Sequence, residues 1–448
     1  MAELITEPRV RFERLVNPRF GIVPGALTKT VFFGTSRPTL TTTNEEVTRG
    51  VTPDGLDIVS KVNVASVTKI FDEAGVTYFE TTDFIVGNVG STTLNGEIQW
   101  SPTGGGTNEP AAGVKYFVTY ETNKTFTTLV INEIDTLDQA EDLFGLSNDS
   151  ANRLSLAAKI YFGNGAVRGQ FMQIADETDG SIDAALAALT TAKIDIVVPL
   201  TAIGTGNNVL SKVKAHIFQQ SQPNEGAQRI ALLGAQVGTS ITDLKTLAAA
   251  AAFQRLVIAA PPSVTITVND IDEELDGTFF NAAIAGFLSD PDNDVAVPTT
   301  RKQLFELKDV GVIYTRVQAN DLTANGVLVV ETANDTVRVR HGVTTDVTNL
   351  NSNELSVVRI SDFIGATLRE VLDKLYIGTK IDPTAIASIR TTINTVLESF
   401  VNAIVIVNFR NLSVQQNISN PVVIDVSFQV FPVFPLNLID IKFSFDVF

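Results

Sequence analysis

Ile194-Asp195-Ile196-Val197-Val198-Pro199-Leu200 is a short, almost unbroken apolar run between two stretches of helical character, 182–190 and 207–220. A strand with one face in water alternates apolar and polar residues. A run apolar on both faces needs cover on both, which helices give to a parallel sheet. Outward from this run the pattern repeats. Val167–Ala175, Arg229–Gly234 and Arg255–Ala260 read as further strands, with helical stretches at 151–162 and 241–253. Upstream, Thr127–Asn132 is a strand, after which Asp135 caps a helix carrying Leu137, Ala140 and Phe144 on one face, and Gly145 stops it. Thr30–Gly34, after the turn cluster Gly21, Pro24 and Gly25, is one more apolar strand, and 327–341 is a hairpin around Asn334-Asp335.

Two regions break the pattern. Residues 60–121 contain strand-like runs (Lys61–Phe71, Thr77–Glu80, Asp83–Val86, Gly96–Trp100, Val114–Glu121) with almost no helical period, and a loop at Ser101–Ala112 that includes Gly104, Gly105 and Gly106. Beyond residue 356, two amphipathic helices are expected. One is 362–376, striped by Ile364, Leu368, Val371 and Leu375. The other is 384–400, striped by Ile386, Ile389, Ile393, Val396 and Phe400 behind Pro383. Strands Ala403–Phe409 and Pro421–Phe431 follow. The fold class is therefore α/β and α+β, multidomain. Residues 1–20 form an N-terminal arm, 21–59 and 122–355 a parallel-sheet α/β core, and 60–121 an inserted all-β module. Residues 356–435 form a C-terminal α+β domain and 436–448 a C-terminal strand arm. A length of 448 residues accords with roughly two to four domains.

Composition narrows the function. Lys plus Arg total 33 against 50 Asp plus Glu, a net charge of −17 that repels nucleic-acid phosphates and anionic lipid and favours solubility. The absence of cysteine excludes disulfides, thiol catalysis and Cys-ligated metals. Met1–Val10 carries Glu3 and Glu7 and no apolar core, so no signal peptide is expected, and no apolar run approaches the ~18 residues of a membrane span.

A search for chemistry returns little. The chain has two histidines, His216 in a helical stretch and His341 at a hairpin end, neither beside a Ser–carboxylate arrangement, and structural roles are expected for both. No GxxxxGK[ST] loop occurs. Gly163-Asn164-Gly165 with Gly169 follows a helix and precedes a strand, the reverse of a phosphate cradle. Asp290, Asp292 and Asp294 begin like a calcium loop, but Val295 and Arg301 stand where glycine and glutamate are needed. Asp270, Asp272, Glu273, Glu274 and Asp276 read as an exposed face. No catalytic, cofactor-binding or metal-ligating residue is expected.

The last segment carries the most. Ile439, Ile441, Phe443, Phe445 and Val447 alternate with Asp440, Lys442, Ser444 and Asp446. Such a strand either folds back on its own domain or adds to a neighbour's sheet through main-chain hydrogen bonds. Pro432 and Pro435 just before it favour a hinge and a projecting arm.

In order along the chain, several stretches resemble contractile tail sheath proteins of myophages. They are Val76-Thr77-Tyr78, Asp83-Phe84, Ile98-Gln99-Trp100, Tyr116-Phe117-Val118-Thr119-Tyr120, Leu143-Phe144-Gly145 and Tyr161-Phe162-Gly163-Asn164-Gly165-Ala166, then Ile196-Val197-Val198-Pro199, Arg255 leading to Pro261, and Ala285-Gly286. The most specific are Val339-Arg340-His341-Gly342-Val343-Thr344-Thr345 and Val357-Val358-Arg359-Ile360-Ser361-Asp362. The resemblance implies a non-enzymatic, cofactor-free subunit that polymerises helically around a tail tube. Contraction, triggered by the baseplate, drives the tube through the host envelope for genome delivery. It implies a β-module on the outside, terminal arms completing a neighbour's sheet, and a C-terminal helix against the tube. For that contact Arg369, Glu370, Asp373 and Lys374 of 362–376 are the candidates. The implied partners are copies of the chain itself, the tail tube protein, and baseplate and tail terminator proteins, without direct contact to nucleic acid or membrane. The implied location is the virion tail, after a period in the host cytoplasm. A tailocin or other contractile injection device would use the same kind of subunit; an α/β enzyme with β insertions is the alternative from another class.

Overall fold

The computed structural model describes residues 27–442 except 37–38, 51–55, 61–63, 81, 87–96, 101–107, 124–126 and 224. The expected N-terminal arm, the Gly104–Gly106 loop, and Phe443, Phe445 and Val447 of the C-terminal strand lie outside the described residues.

The quoted run becomes the strand Ile196–Pro199, buried throughout, inside an eight-stranded sheet. In spatial order that sheet runs Thr336–Val339, Val327–Ala333, Leu256–Ala260, Ile230–Gly234, Ile196–Pro199, Thr30–Gly34, Gly169–Gln173 and Ile131–Ile134. Neighbouring strands are parallel except at the two edges. Successive side chains point into different cores. Phe32, Val198, Leu232 and Val257 pack with helices Arg153–Gly163 and Thr278–Ser289. Val31, Phe33, Val197, Leu233 and Ile258 pack with Asp179–Ala188, Val209–Gln220 and Ile241–Ala251. Both faces are covered, which is why no strand in the middle needs a polar side. The hairpin turn is as expected: Asn334 and Asp335 sit at φ 53 and 56, the pair of positive angles that matches strand twist.

Two local expectations change, and one helix forms that the sequence did not announce. The first helix is capped by Thr136, whose Oγ1 accepts from Gln139 N, and not by Asp135; Gly145 does end it, at φ 91. Helix Thr278–Ser289 carries no stripe to find, because every residue but Phe287 is buried. Its Gly286 lies against the other helix of that face. A Cβ there would stand 2.3 Å from the Tyr161 carbonyl, so only glycine lets the two backbones meet. The second change is the start of the β-rich region. Thr39–Thr48 pairs with Lys115–Asn123, and Leu56–Ile58 pairs with Glu97–Trp100, so two strands precede residue 60 and do not belong to the α/β sheet. Thr39-Leu40-Thr41-Thr42-Thr43-Asn44-Glu45-Glu46 offers too few apolar residues to announce a strand. Its core is a separate cluster that includes Ile70, Tyr78, Phe84, Ile98, Trp100, Tyr116 and Tyr120.

By contacts the chain divides into two units. The larger comprises Thr28–Asp290, Val297–Val358 and the residues from Phe434; the smaller comprises Pro291–Ala296 and Arg359–Val433 with Leu27. In the smaller unit, the long helix Leu355–Tyr376 (from Arg359 on) and helix Pro383–Asn402 bury Phe363, Ile364, Leu368, Ile393, Val396, Leu397 and Phe400 between them. Asp382 accepts from Ala385 N at 2.8 Å with Pro383 at the first helical position, a well-formed start. Leu375, expected on the buried stripe, is 51% exposed. The buried stripe stops one turn earlier, and Tyr376 Oη with Thr392 Oγ1 at 2.6 Å links the helices there by a polar contact.

Candidate functional site

The open α/β sheet offers the crevice in which such folds hold ligands, at the carboxyl ends of strands near a change of strand order. Here that place is occupied by the chain itself. Leu154 N, at the start of helix Arg153–Gly163, donates to the Thr35 carbonyl just after Thr30–Gly34. Arg153 Nε donates to Leu200 O at 2.8 Å, and its Nη2 reaches both oxygens of Asp276 at 2.9 and 2.7 Å. Glu177 completes the group 3.6 Å from Arg153. Burial, then the neighbouring Asp276, raise its pKa against the pull of Arg153. At this helix start the Leu154 amide and the Arg153 charge are both taken up by the chain itself.

Several of the remaining candidates have structural partners. Asn164 of the Gly163-Asn164-Gly165 turn donates to Ile160 O and Phe305 O and accepts from Phe305 N, joining two loops. Asp272 pairs with Lys308 and Thr267, and Asp294 accepts from Ala296 N. Among the described residues no three His, Asp or Glu side chains converge as a metal set, and no helix is long and apolar enough to cross a membrane.

His216 packs on the fully buried Arg229, whose Nη1 lies 2.8 Å from His216 Nε2 and 2.8 Å from Leu189 O; Nη2 donates to Ala192 O. A guanidinium only donates, so Nε2 accepts and the ring proton sits on Nδ1. Burial first, and the arginine charge second, push the His216 pKa down to about 4. With the folded value below the unfolded one, the neutral ring's contribution is complete above about pH 6.5 and is lost as pH falls towards 4. The loss should amount to about 2 kcal/mol after allowance for the ring's partial exposure. His216→Gln keeps an acceptor for Arg229 and removes the titration. Urea midpoints at pH 7.5 and 4.5 should therefore differ less in the variant than in the parent; an equal acid drop in both would refute the assignment.

His341 meets Glu354, nearly buried, at 2.7 Å between Nε2 and Oε1. Asn437, from the C-terminal segment, reaches the same oxygen at 2.7 Å. No sequence signal joined residues so far apart.

The surfaces expected to matter for assembly are open. Leu436, Leu438, Ile439 and Ile441 are 77%, 81%, 68% and 77% exposed, and residues 433–442 join no strand. Ile439 and Ile441 are thus not folded onto the α/β unit. In the smaller unit, Ile406–Gln416 and Ile424–Pro432 form a two-stranded sheet that pairs with no third strand among the described residues. Phe409, Leu412, Val414, Phe428 and Val430 are half-buried in the core of that unit, while Val407 and Val422 are exposed. On helix Leu355–Tyr376, Arg369, Glu370, Asp373 and Lys374 are all exposed, opposite the buried stripe. Arg359 and Asp362 are buried.

Comparison with known proteins gives one sequence relative and a fold. Residues 35–172 match a family described as a domain of unknown function, DUF4815. Over 320 residues, 68% of this chain, the sequence is 28% identical to the tail sheath protein of Mycobacterium phage Bxz1; the match spans 54% of that protein's length. The helical sheath of the anti-feeding prophage in its contracted state superposes with a TM-score of 0.56 at 17% identity, covering 72% of this chain and 91% of the other. The contracted PVC sheath complex of an extracellular contractile injection system gives 0.57 at 15% identity, with 72% and 88% covered. The resemblance read from the sequence is therefore borne out: the chain has the fold of contractile sheath proteins and is similar over two-thirds of its length to a phage tail sheath protein.

Proposed function

We propose that the chain is the sheath subunit of a contractile phage tail, assembling helically on a tube and contracting to drive it through the host envelope. The observation that carries this reading is that the chain, similar to a phage tail sheath protein, has both an exposed apolar terminal segment and a two-stranded sheet that pairs with no third strand among the described residues. The hairpin packs one side on the helices of its unit, and a sheet edge of this kind gains by an added strand. Residues 436–448 of one subunit, with Ile439, Ile441, Phe443, Phe445 and Val447 on one side, supply such a strand to the next. Negative-stain microscopy of the purified protein tests this: rods or tubes are expected, and a monodisperse monomer under all assembly conditions would refute it. The fold matches to injection-system sheaths are compatible with a second reading, a subunit of a non-phage contractile device, and neighbouring genes decide between the two.

The tube is met by the exposed face of helix Leu355–Tyr376. Arg369, Glu370, Asp373 and Lys374 offer both signs of charge, and exposed pairs contribute only about 0–1 kcal/mol each, which suits a contact that must release on contraction. Reversing Arg369 and Lys374 to Glu should weaken assembly on tubes several-fold at low salt and leave subunit melting unchanged. Equal assembly across a salt series would move the contact to helix Pro383–Asn402 or elsewhere. The baseplate and tail terminator are the partners at the two ends of such a sheath.

A further inference from the structure

We propose that Asn437 is the anchor of the C-terminal arm, a positioning residue that fixes the arm's exit from the α/β unit by closing on His341 and Glu354. This rests on the reading of residues 436–448 as the connector between subunits. Residues from Phe434 group with the α/β unit, although the chain reaches them from the two-helix unit. Along 434–442 the apolar side chains Leu436, Leu438, Ile439 and Ile441 are mostly exposed, so hydrophobic burial does not hold the segment. Asn437 is the residue there with a hydrogen-bonded seat. Its Nδ2 lies 2.7 Å from Glu354 Oε1 and 3.1 Å from His341 Nε2.

The chemistry of the seat is determined by its distances. His341 Nε2 and Glu354 Oε1 are 2.7 Å apart, and two lone pairs do not face each other at that range. Nε2 therefore carries its proton and donates to the carboxylate, and Asn437 Nδ2 donates to the same oxygen. The 3.1 Å approach of the two nitrogens follows from two donors sharing one acceptor. The Glu354 side chain is only 3% exposed, and a buried carboxylate depends on its donors. Glu354 is itself held by the backbone: its N–H donates to Leu350 O, and its carbonyl accepts from Val357 and Val358 N at the start of the long helix. The seat is rigid on the protein side and specific on the arm side. It also gives a task to His341 in the Val339–Thr345 stretch, which has no place in strand exchange or tube contact.

An arm pulled by a neighbour transmits force where it is attached. With Asn437 seated, that place is the α/β unit, and the strand beyond it leaves from a defined point. Without the seat the arm is free from the end of strand Ile424–Pro432 onward, and each subunit must order a longer segment on assembly.

The test uses the full chain, in which a single introduced cysteine is the sole labelling site because there is none natively. A spin label at Asp440→Cys should report a restricted arm in the soluble subunit. Adding Asn437→Ala should make the label mobile, raise the concentration needed for tube formation about tenfold, the loss expected for one charge-assisted hydrogen bond, and lower the melting midpoint only slightly, because His341 still donates to Glu354. Deletion of 438–448, which keeps Asn437, should abolish tubes. Unchanged label mobility in Asn437→Ala would overturn the anchor, as would a mobile label with wild-type assembly. Normal tubes from the 438–448 deletion would instead overturn the connector reading, and the proposal with it.

Discussion

A chain ending at Pro435 is expected to fold, remain monomeric and form no tubes at any practical concentration. The folded subunit loses little. Leu436, Leu438, Ile439 and Ile441 contribute almost nothing to its core, and the described side-chain contact with the rest of the subunit that is given up is the seat of Asn437 on Glu354 and His341. The polymer loses much more. Each of the alternating apolar side chains Ile439, Ile441, Phe443, Phe445 and Val447 contributes about 1.5–3 kcal/mol when fully buried. The main-chain bonds to the accepting hairpin go as well. Even if ordering the arm offsets half of this, several kcal/mol remain, and each 1.4 kcal/mol is a factor of about ten in association. A thousand-fold rise in the critical concentration is loss of assembly in practice. Sedimentation and negative-stain microscopy read the outcome, with far-UV circular dichroism and melting as the control for folding. Tubes formed by the truncated chain at the wild-type concentration would remove the arm from the mechanism.

The parts of the molecule legible in the sequence were those in which burial imposes a period. Ile196-Val197-Val198 announced a sheet covered on both faces, and Ile364/Leu368 with Ile393/Val396/Phe400 announced a helix pair; both are present. Where the environment is uniform, period disappears. Helix Thr278–Ser289 is buried all round and so has no stripe, and Thr39–Thr48 is so rich in Thr, Asn and Glu that its pairing with Lys115–Asn123 had to be seen in space. The exposure of Leu375 shows the opposite failure, a periodic residue that continues a stripe beyond the partner able to cover it. At the candidate sites, composition and alternation marked the C-terminal segment and the exposed charges of helix Leu355–Tyr376. The Asn437 seat and the Arg229–His216 pair join residues distant in sequence through single hydrogen bonds, and no local pattern encodes those.

The β-rich region supplies the other large expected effect, at Asp57. Its carboxylate is buried, with side-chain exposure of 3%. Oδ2 accepts from Trp100 Nε1 at 2.8 Å and from Tyr116 Oη at 2.9 Å, and Oδ1 accepts from Gly50 N at 2.8 Å. The Arg49 guanidinium stands 3.8 Å from Oδ1 and near the Trp100 ring, and it also binds Glu109. Burial, and then the Asp57 charge, hold the Tyr116 hydroxyl well above its ordinary pKa, so it stays a donor throughout the physiological range. Asp57→Ala strands two buried donors, the half-buried Gly50 N–H and a cation together, and removing one partner of such a group costs about 3–5 kcal/mol. A region of this size is stable by only about 4–13 kcal/mol, so the loss is a large fraction of the whole. Asp57→Asn should cost less, because one amide oxygen still accepts while the amide nitrogen faces a donor. Tyr116→Phe, which leaves Asp57 its other donors, should cost about 1 kcal/mol. Trp100 is the single tryptophan of the chain and lies inside this core, so its fluorescence reports this region alone. The described helices all lie outside it, and helical dichroism reports the rest. Because Thr39 is paired with Asn123, the two ends of the region are adjacent, and it can open without pulling the α/β sheet apart. The fluorescence midpoint in urea should fall sharply in Asp57→Ala while the helical midpoint stays in place. A shared shift of both signals would mean that the β-rich region and the α/β sheet unfold as one, and an unmoved fluorescence midpoint would mean that Asp57 does not hold this core together.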